Sequence, residues 1–98
     1  MAKGYWVVAY HGIKNQDAFQ AYAKLAMPAI LASGGKYLVR GNPSAVHESG
    51  INQRIVVIEF PNLQAAIACH DGAAYQEALK PLKGDAVKRD MRIVEGMA

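Results

Sequence analysis

Cysteine is nearly missing from this sequence, and so is any long apolar run. Cys69 is the single cysteine, which excludes an internal disulfide and a cysteine-based zinc cluster. No stretch is long enough in apolar residues to span a bilayer. The opening MAKGYWVVAYHG has one lysine and an apolar run broken by Tyr10 and His11, too short for a secretory leader. The expected address is therefore the cytoplasm, with no membrane partner. Charge of one sign is also scarce: the formal net charge is +3, and Lys80, Lys83, Lys88, Arg89 and Arg92 are interleaved with Glu77, Asp85, Asp90 and Glu95. Such mixing reads as a solvated face rather than a nucleic-acid groove. GxGxxG, GxxxxGK, HExxH and GxSxG are all lacking, so no nucleotide cofactor is expected. His11, His47 and His70 lie on separate segments, and Cys69 and His70 would point about 100 degrees apart on a helix, so no metal site is expected.

What is present is enough for one domain spanning 1–98, since 52% of the 98 residues are apolar. A chain this short buries only about 60 to 65 per cent of its unfolded surface, so a second subunit would help it. Tyr5 to His11 is rich in β-formers and reads as a first strand. Asn15 offers an N-cap and Asp17 a charge that suits a helix start. Phe19, Tyr22, Ala26, Ala29 and Ile30 then recur at helical spacing as far as Ser33, with Pro28 expected to bend the helix and Gly34 and Gly35 to end it. KYLVRG is a second strand, followed by a loop in which Val46 and His47 suggest a short extension. RIVVIEF is a third strand that stops at Pro61. Asn62 caps a second helix, broken at Asp71 and Gly72 and resumed from Ala73 to about Lys80. MRIVEG closes the chain as a strand.

The order β-α-β-β-α-β predicts an α+β, ferredoxin-like sandwich: a four-stranded antiparallel sheet with two helices on one face. A sheet with one open face should alternate apolar with polar residues, yet YWVVAY and IVVI do not. The expectation is a sheet covered on both sides, with a homodimer formed through the open face.

KGYWVV, AYAKLAMPAI, GGKYLVRG, RIVVIEFPNLQAA, AYQEAL and IVEG, in this order and spacing, resemble the Domain of unknown function 1330 family within the dimeric α+β barrel superfamily. The resemblance covers nearly the whole chain. It implies subunits pairing sheet to sheet as a dimeric barrel, with a cavity between sheet and helices or near the barrel ends, and it does not choose a chemistry. Before Tyr75 the sequence reads His70, Asp71, Gly72, Ala73, Ala74, where relatives in the family often carry a carboxylate.

Four residues are candidates for chemistry. Arg40 closes the second strand and Glu59 nearly closes the third, so they are read either as an ion pair or as an anion-holding fork with a proton-moving carboxylate. His70 is read as a general base or donor, or as a helix C-terminal cation. Tyr75, like Tyr22, is read as a core residue with a hydrogen-bonded hydroxyl or as part of a cavity lining. The function so implied is binding of a small acidic or aromatic metabolite, with cofactor-independent catalysis left open. The alternative is an assembly protein with no specific ligand, and a haem or metal protein is a third reading.

Overall fold

A computed structural model describes residues 2–97. The elements are β1 (Gly4–Ile13), α1 (Gln16–Ala32), β2 (Lys36–Gly41), β3 (Ile55–Phe60), α2 (Leu63–Asp71), α3 (Ala73–Leu79), a 3₁₀ turn (Lys80–Leu82) and β4 (Val87–Glu95). The expected order is present, with the second helix split in two at Gly72, whose extended backbone ends α2 and begins α3. Asparagine starts both longer helices by the same device. The Asn15 side chain accepts from the Ala18 N–H at 3.0 Å and that of Asn62 from the Ala65 N–H at 2.8 Å, filling donors that an α-helix leaves open at its first turn. Gly34, at φ 88, supplies the left-handed exit of α1. Pro28 sits within α1 without ending it. Val46 and His47 lie in the β2–β3 loop and form no strand.

The four strands make one antiparallel sheet in the order β2-β3-β1-β4. Register fixes which side chains share a row. Tyr37, Ile58, Trp6 and Ile93 stand side by side across the sheet, and Arg40, Val56, Val8 and Met91 form a parallel row. These are inner-face rows, roofed by the helices. Trp6, Phe60, Ile30, Ile58 and Tyr75 are the largest fully buried side chains. The Trp6 indole N–H donates to the Ala66 carbonyl of α2 at 2.9 Å, so the one buried polar atom of the largest core residue is satisfied and pins α2 to the sheet.

The expected dimeric barrel is overturned. β2 and β4 each pair on one side only, so the sheet is open and not closed into a barrel. The homodimer inferred with it is not supported by this structure; within the chain, the residues of β1 and β3 alternate in burial even where they do not alternate in type. Val56, Ile58 and Phe60 are buried while Ile55, Val57 and Glu59 are only half-buried, and on β1 Val8 is buried while Val7 is 37% exposed. Polar pairs border this outer face. The Tyr5 hydroxyl donates to Glu59 Oε2 at 3.0 Å, and His11 Nε2 lies 2.7 Å from Asp90 Oδ2. The outer face is apolar at its centre, where Val39, Val57 and Val7 form one row, and polar along its margins.

Candidate functional site

Two β-bulges decide what stands at one end of the inner face. In β2 the register slips between Tyr37 and Val39, so Tyr37 faces Ile58 and Arg40 faces Val56. Without that extra residue, strict alternation would send Arg40 to the face opposite Tyr37; with it, both turn inward. Between β1 and β4 the register slips after Tyr10, which pairs with Arg89. Arg54 joins the same end, its carbonyl accepting from the Tyr10 N–H at 2.9 Å. Three arginines therefore converge on a single cavity between the sheet and α1.

That cavity has a volume of about 60 Å³; Arg40, Arg54 and Arg89 line it together with Tyr10, Tyr22 and Tyr37, and its remaining walls are Trp6, Phe19 and aliphatic side chains. This volume admits about four or five water-sized groups. The guanidinium of Arg40 lies 5.3 Å from the Tyr37 ring centre and that of Arg54 lies 5.6 Å from the Phe19 ring centre. Stacking of this kind holds a cation in place while leaving its N–H edge free to donate.

Arg89 is the hub. Nη1 donates to the Tyr10 hydroxyl at 3.1 Å and to the Tyr22 hydroxyl at 3.2 Å, and Nη2 donates to the Tyr75 hydroxyl at 3.0 Å. The Tyr22 and Tyr75 hydroxyls are themselves 2.6 Å apart. Among the described residues, no carboxylate lies within ion-pair distance of Arg40, Arg54 or Arg89.

A count of protons shows what this cluster is short of. Each tyrosine hydroxyl accepts from Arg89 and still has its own proton to donate. One of those protons closes the Tyr22–Tyr75 link. Either hydroxyl of that pair can be the donor, which leaves the other with a proton to place. Tyr22 and Tyr10 both line the cavity, and the Tyr10 hydroxyl has no acceptor among the described side-chain bonds. The site is rich in donors and short of acceptors.

Titration reinforces that character. Burial, then the proximity of Tyr75, pushes the Tyr22 hydroxyl far above the usual tyrosine value. Burial likewise raises Tyr75 and Tyr10 against the opposing pull of Arg89, and pushes Tyr37 up to about 12. Burial alone works against the charge on Arg89, but the oxygens of Tyr22, Tyr75 and Tyr10 outweigh it and its pKa moves above the ordinary arginine value. Near neutral pH the hydroxyls are therefore donors and the guanidinium is a cation.

The four residues singled out from the sequence fall in different places. Arg40 lines the cavity. Tyr75 lies directly behind it, joined to Tyr22 and Arg89. His70 packs its ring 5.6 Å from that of Tyr75 and pairs through Nδ1 with Asp71 at 3.0 Å, at the end of α2. Glu59 is on the outer face, bonded to Tyr5 and opposite Lys36 in register. Arg40 and Glu59 do not meet, because both stand near the C-terminal ends of strands that run in opposite directions. Arg89, Arg54 and Tyr10 were not expected. The signal for Arg89 was present in VKRDMRIV: Val87, Arg89, Met91 and Ile93 alternate with Lys88, Asp90, Arg92 and Val94, which puts Arg89 among apolar, inward positions. Reading the strand from Met91 left Arg89 in a run of solvated charges.

Among the described residues no group of three or more His, Cys, Asp or Glu side chains is placed to hold a metal ion, and no helix is long and apolar enough to cross a membrane.

An open antiparallel sheet with helices on one face and a buried aromatic and polar pocket at one end defines a small α+β domain suited to holding a small molecule. The chain belongs to the family described as Domain of unknown function (DUF1330), whose model matches residues 3–97. Its fold is similar to that of a protein of unknown function from Rhodopseudomonas palustris, 15% identical with a TM-score of 0.76 over 99% of this chain and 84% of that one. It is also similar to a nipsnap family protein with unknown function from Agrobacterium tumefaciens, 14% identical with a TM-score of 0.55 over 95% of this chain and 86% of that one. Likeness at this level of identity concerns the fold. No curated protein matches the chain.

Proposed function

We propose that this chain binds a small organic acid, with the carboxylate received by Arg89, Tyr10 and Tyr22 and the body of the molecule set against the apolar walls. The observation that carries this reading is the donor surplus around Arg89, a partly buried cation with three hydroxyl neighbours and, among the described residues, no carboxylate. A buried charge without a counter-ion is costly, and a guanidinium fork beside two cavity-lining hydroxyl groups matches the two oxygens of a carboxylate. Arg40 is a second donor at the mouth. Tyr75 acts through its hydrogen bond with Tyr22. The lining has no carboxylate or histidine, and its tyrosines are held protonated, so the geometry favours binding and orientation over proton abstraction.

The test is thermal unfolding of the chain with acetate, propionate or benzoate against the matching amides. A ligand that binds the folded state alone at 100 times its dissociation constant adds about 2.7 kcal/mol, a rise of roughly ten degrees or more for a domain this size. The acids are expected to raise the midpoint and the amides to leave it. Arg89→Met is expected to abolish the rise, and Tyr10→Phe, a milder change, to weaken binding about tenfold. Equal behaviour of acids and amides contradicts the proposal. Absence of any rise with either favours the alternative, a chain whose apolar surfaces serve assembly alone.

A further inference from the structure

We infer that the acid is a short dicarboxylate, held by Arg89 at one end and by Arg40 at the other, with Arg54 between them; this rests on the organic-acid reading above and goes beyond it. The three arginines line one cavity but enter it from different strands, with Arg54 beside Tyr10 and between the other two in strand order. Arg89 is on β4 and Arg40 is on β2, the two opposite edges of the sheet. Three inter-strand steps of about 4.8 Å place their backbones roughly 14 Å apart, so the side chains enter the cavity from opposite sides.

The two ends also differ in surroundings. Arg89 is tied down by three hydroxyl groups. Arg40 and Arg54 are held by rings alone, over Tyr37 and Phe19, and their N–H groups are donated to no protein oxygen among the described side-chain bonds. Between the ends lie Val8, Val56, Ala23 and Met27, which offer no polar partner. Donors at two ends of an apolar passage call for acceptors at two ends of an apolar ligand. One carboxylate at Arg89 would leave the free N–H groups of Arg40 and Arg54 to water alone. The cavity volume of about 60 Å³ suits a short linker between the two acids, with the outer carboxylate at the open mouth beside Arg40, which is exposed. A single phosphate places its charge at one end only and does not satisfy this arrangement.

The experiment is calorimetric titration of the chain with succinate and glutarate, each compared with its monomethyl ester, and with inorganic phosphate. The diacid is expected to bind about tenfold or more tightly than its monoester. In the Arg40→Met, Arg54→Met double variant that advantage is expected to vanish, so that diacid and monoester bind alike; Arg40→Met alone, at an exposed position, gives a partial loss. Equal binding of diacid and monoester, an advantage that survives the double variant, or phosphate binding more tightly than either overturns the inference while leaving an anion site in place. No binding of any of these acids, with the protein folded, removes the organic-acid reading and this inference with it.

Discussion

The two faces of this sheet treat charge in opposite ways. On the outer face several ionisable groups have partners: Tyr5 with Glu59, His11 with Asp90, and Arg92 with Asp90 at 3.7 Å. On the inner face three arginines line one cavity and, among the described residues, none has a carboxylate. Exposed pairs contribute little to stability and need no further account. Arg89 and Arg54, half-buried without counter-ions among the described residues, do need one, and hydroxyl groups that add more protons than acceptors deepen the imbalance. The contrast separates charges that serve the surface from charges that await a ligand.

The widest test of that contrast lies in packing. Trp6→Ala removes a fully buried side chain of the inner face and is expected to cost about 3 to 5 kcal/mol in denaturant unfolding, whereas Val7→Ala, its neighbour on the outer face at 37% exposure, is expected to cost about 1 kcal/mol. Comparable losses at the two positions would mean that the outer face is packed as tightly as the inner.

Alkaline unfolding gives a smaller effect of the same origin. The inner tyrosines hold their protons in the fold: Tyr37 is raised to about 12 and Tyr22 further still, both chiefly by burial. Unfolded tyrosines ionise near pH 10, so between that value and the folded one the unfolded chain has fewer protons. The stability contribution is full below pH 10 and is lost as pH rises through 12. Tyr22→Phe is expected to flatten the decline measured by chemical denaturation across this window, and an unchanged decline would count against a proton-retaining inner cluster.

The smallest expected change is on the outer face. Glu59→Gln exchanges the charged acceptor of Tyr5 for a neutral one and is expected to move stability by no more than about 0.5 kcal/mol. It should leave organic-acid binding untouched. A loss of binding on that substitution would erase the division between the faces.

Much of the fold was legible before the structure. Asn15 and Asn62 announced their helices, Gly34 marked a helix end and Gly72 a break, because capping and left-handed turns are local chemistry. The barrel was misread because closure depends on how the edge strands β2 and β4 pair, which residue type does not record: Ile55 to Ile58 are all apolar, yet the sheet is open. The candidate site was legible only in part. Arg40 was found as the residue that closes a strand, but its inward direction depends on a bulge in β2 that KYLVRG does not reveal. Tyr75 was found without its partners, since Tyr22 and Arg89 reach it from distant parts of the chain. Arg89 was lost in a run of charges because a strand's first residues look like a solvated loop until the alternation is followed backward.

The central claim is that the inner arginine end is built for an anion, and an isosteric pair tests it with one change of charge. Calorimetric titration of the unmodified chain with benzoate and with benzamide holds size and ring constant. The account predicts that the acid binds at least about tenfold more tightly, with the difference abolished in Arg89→Met; equal affinities, or a preference for the amide, would contradict it.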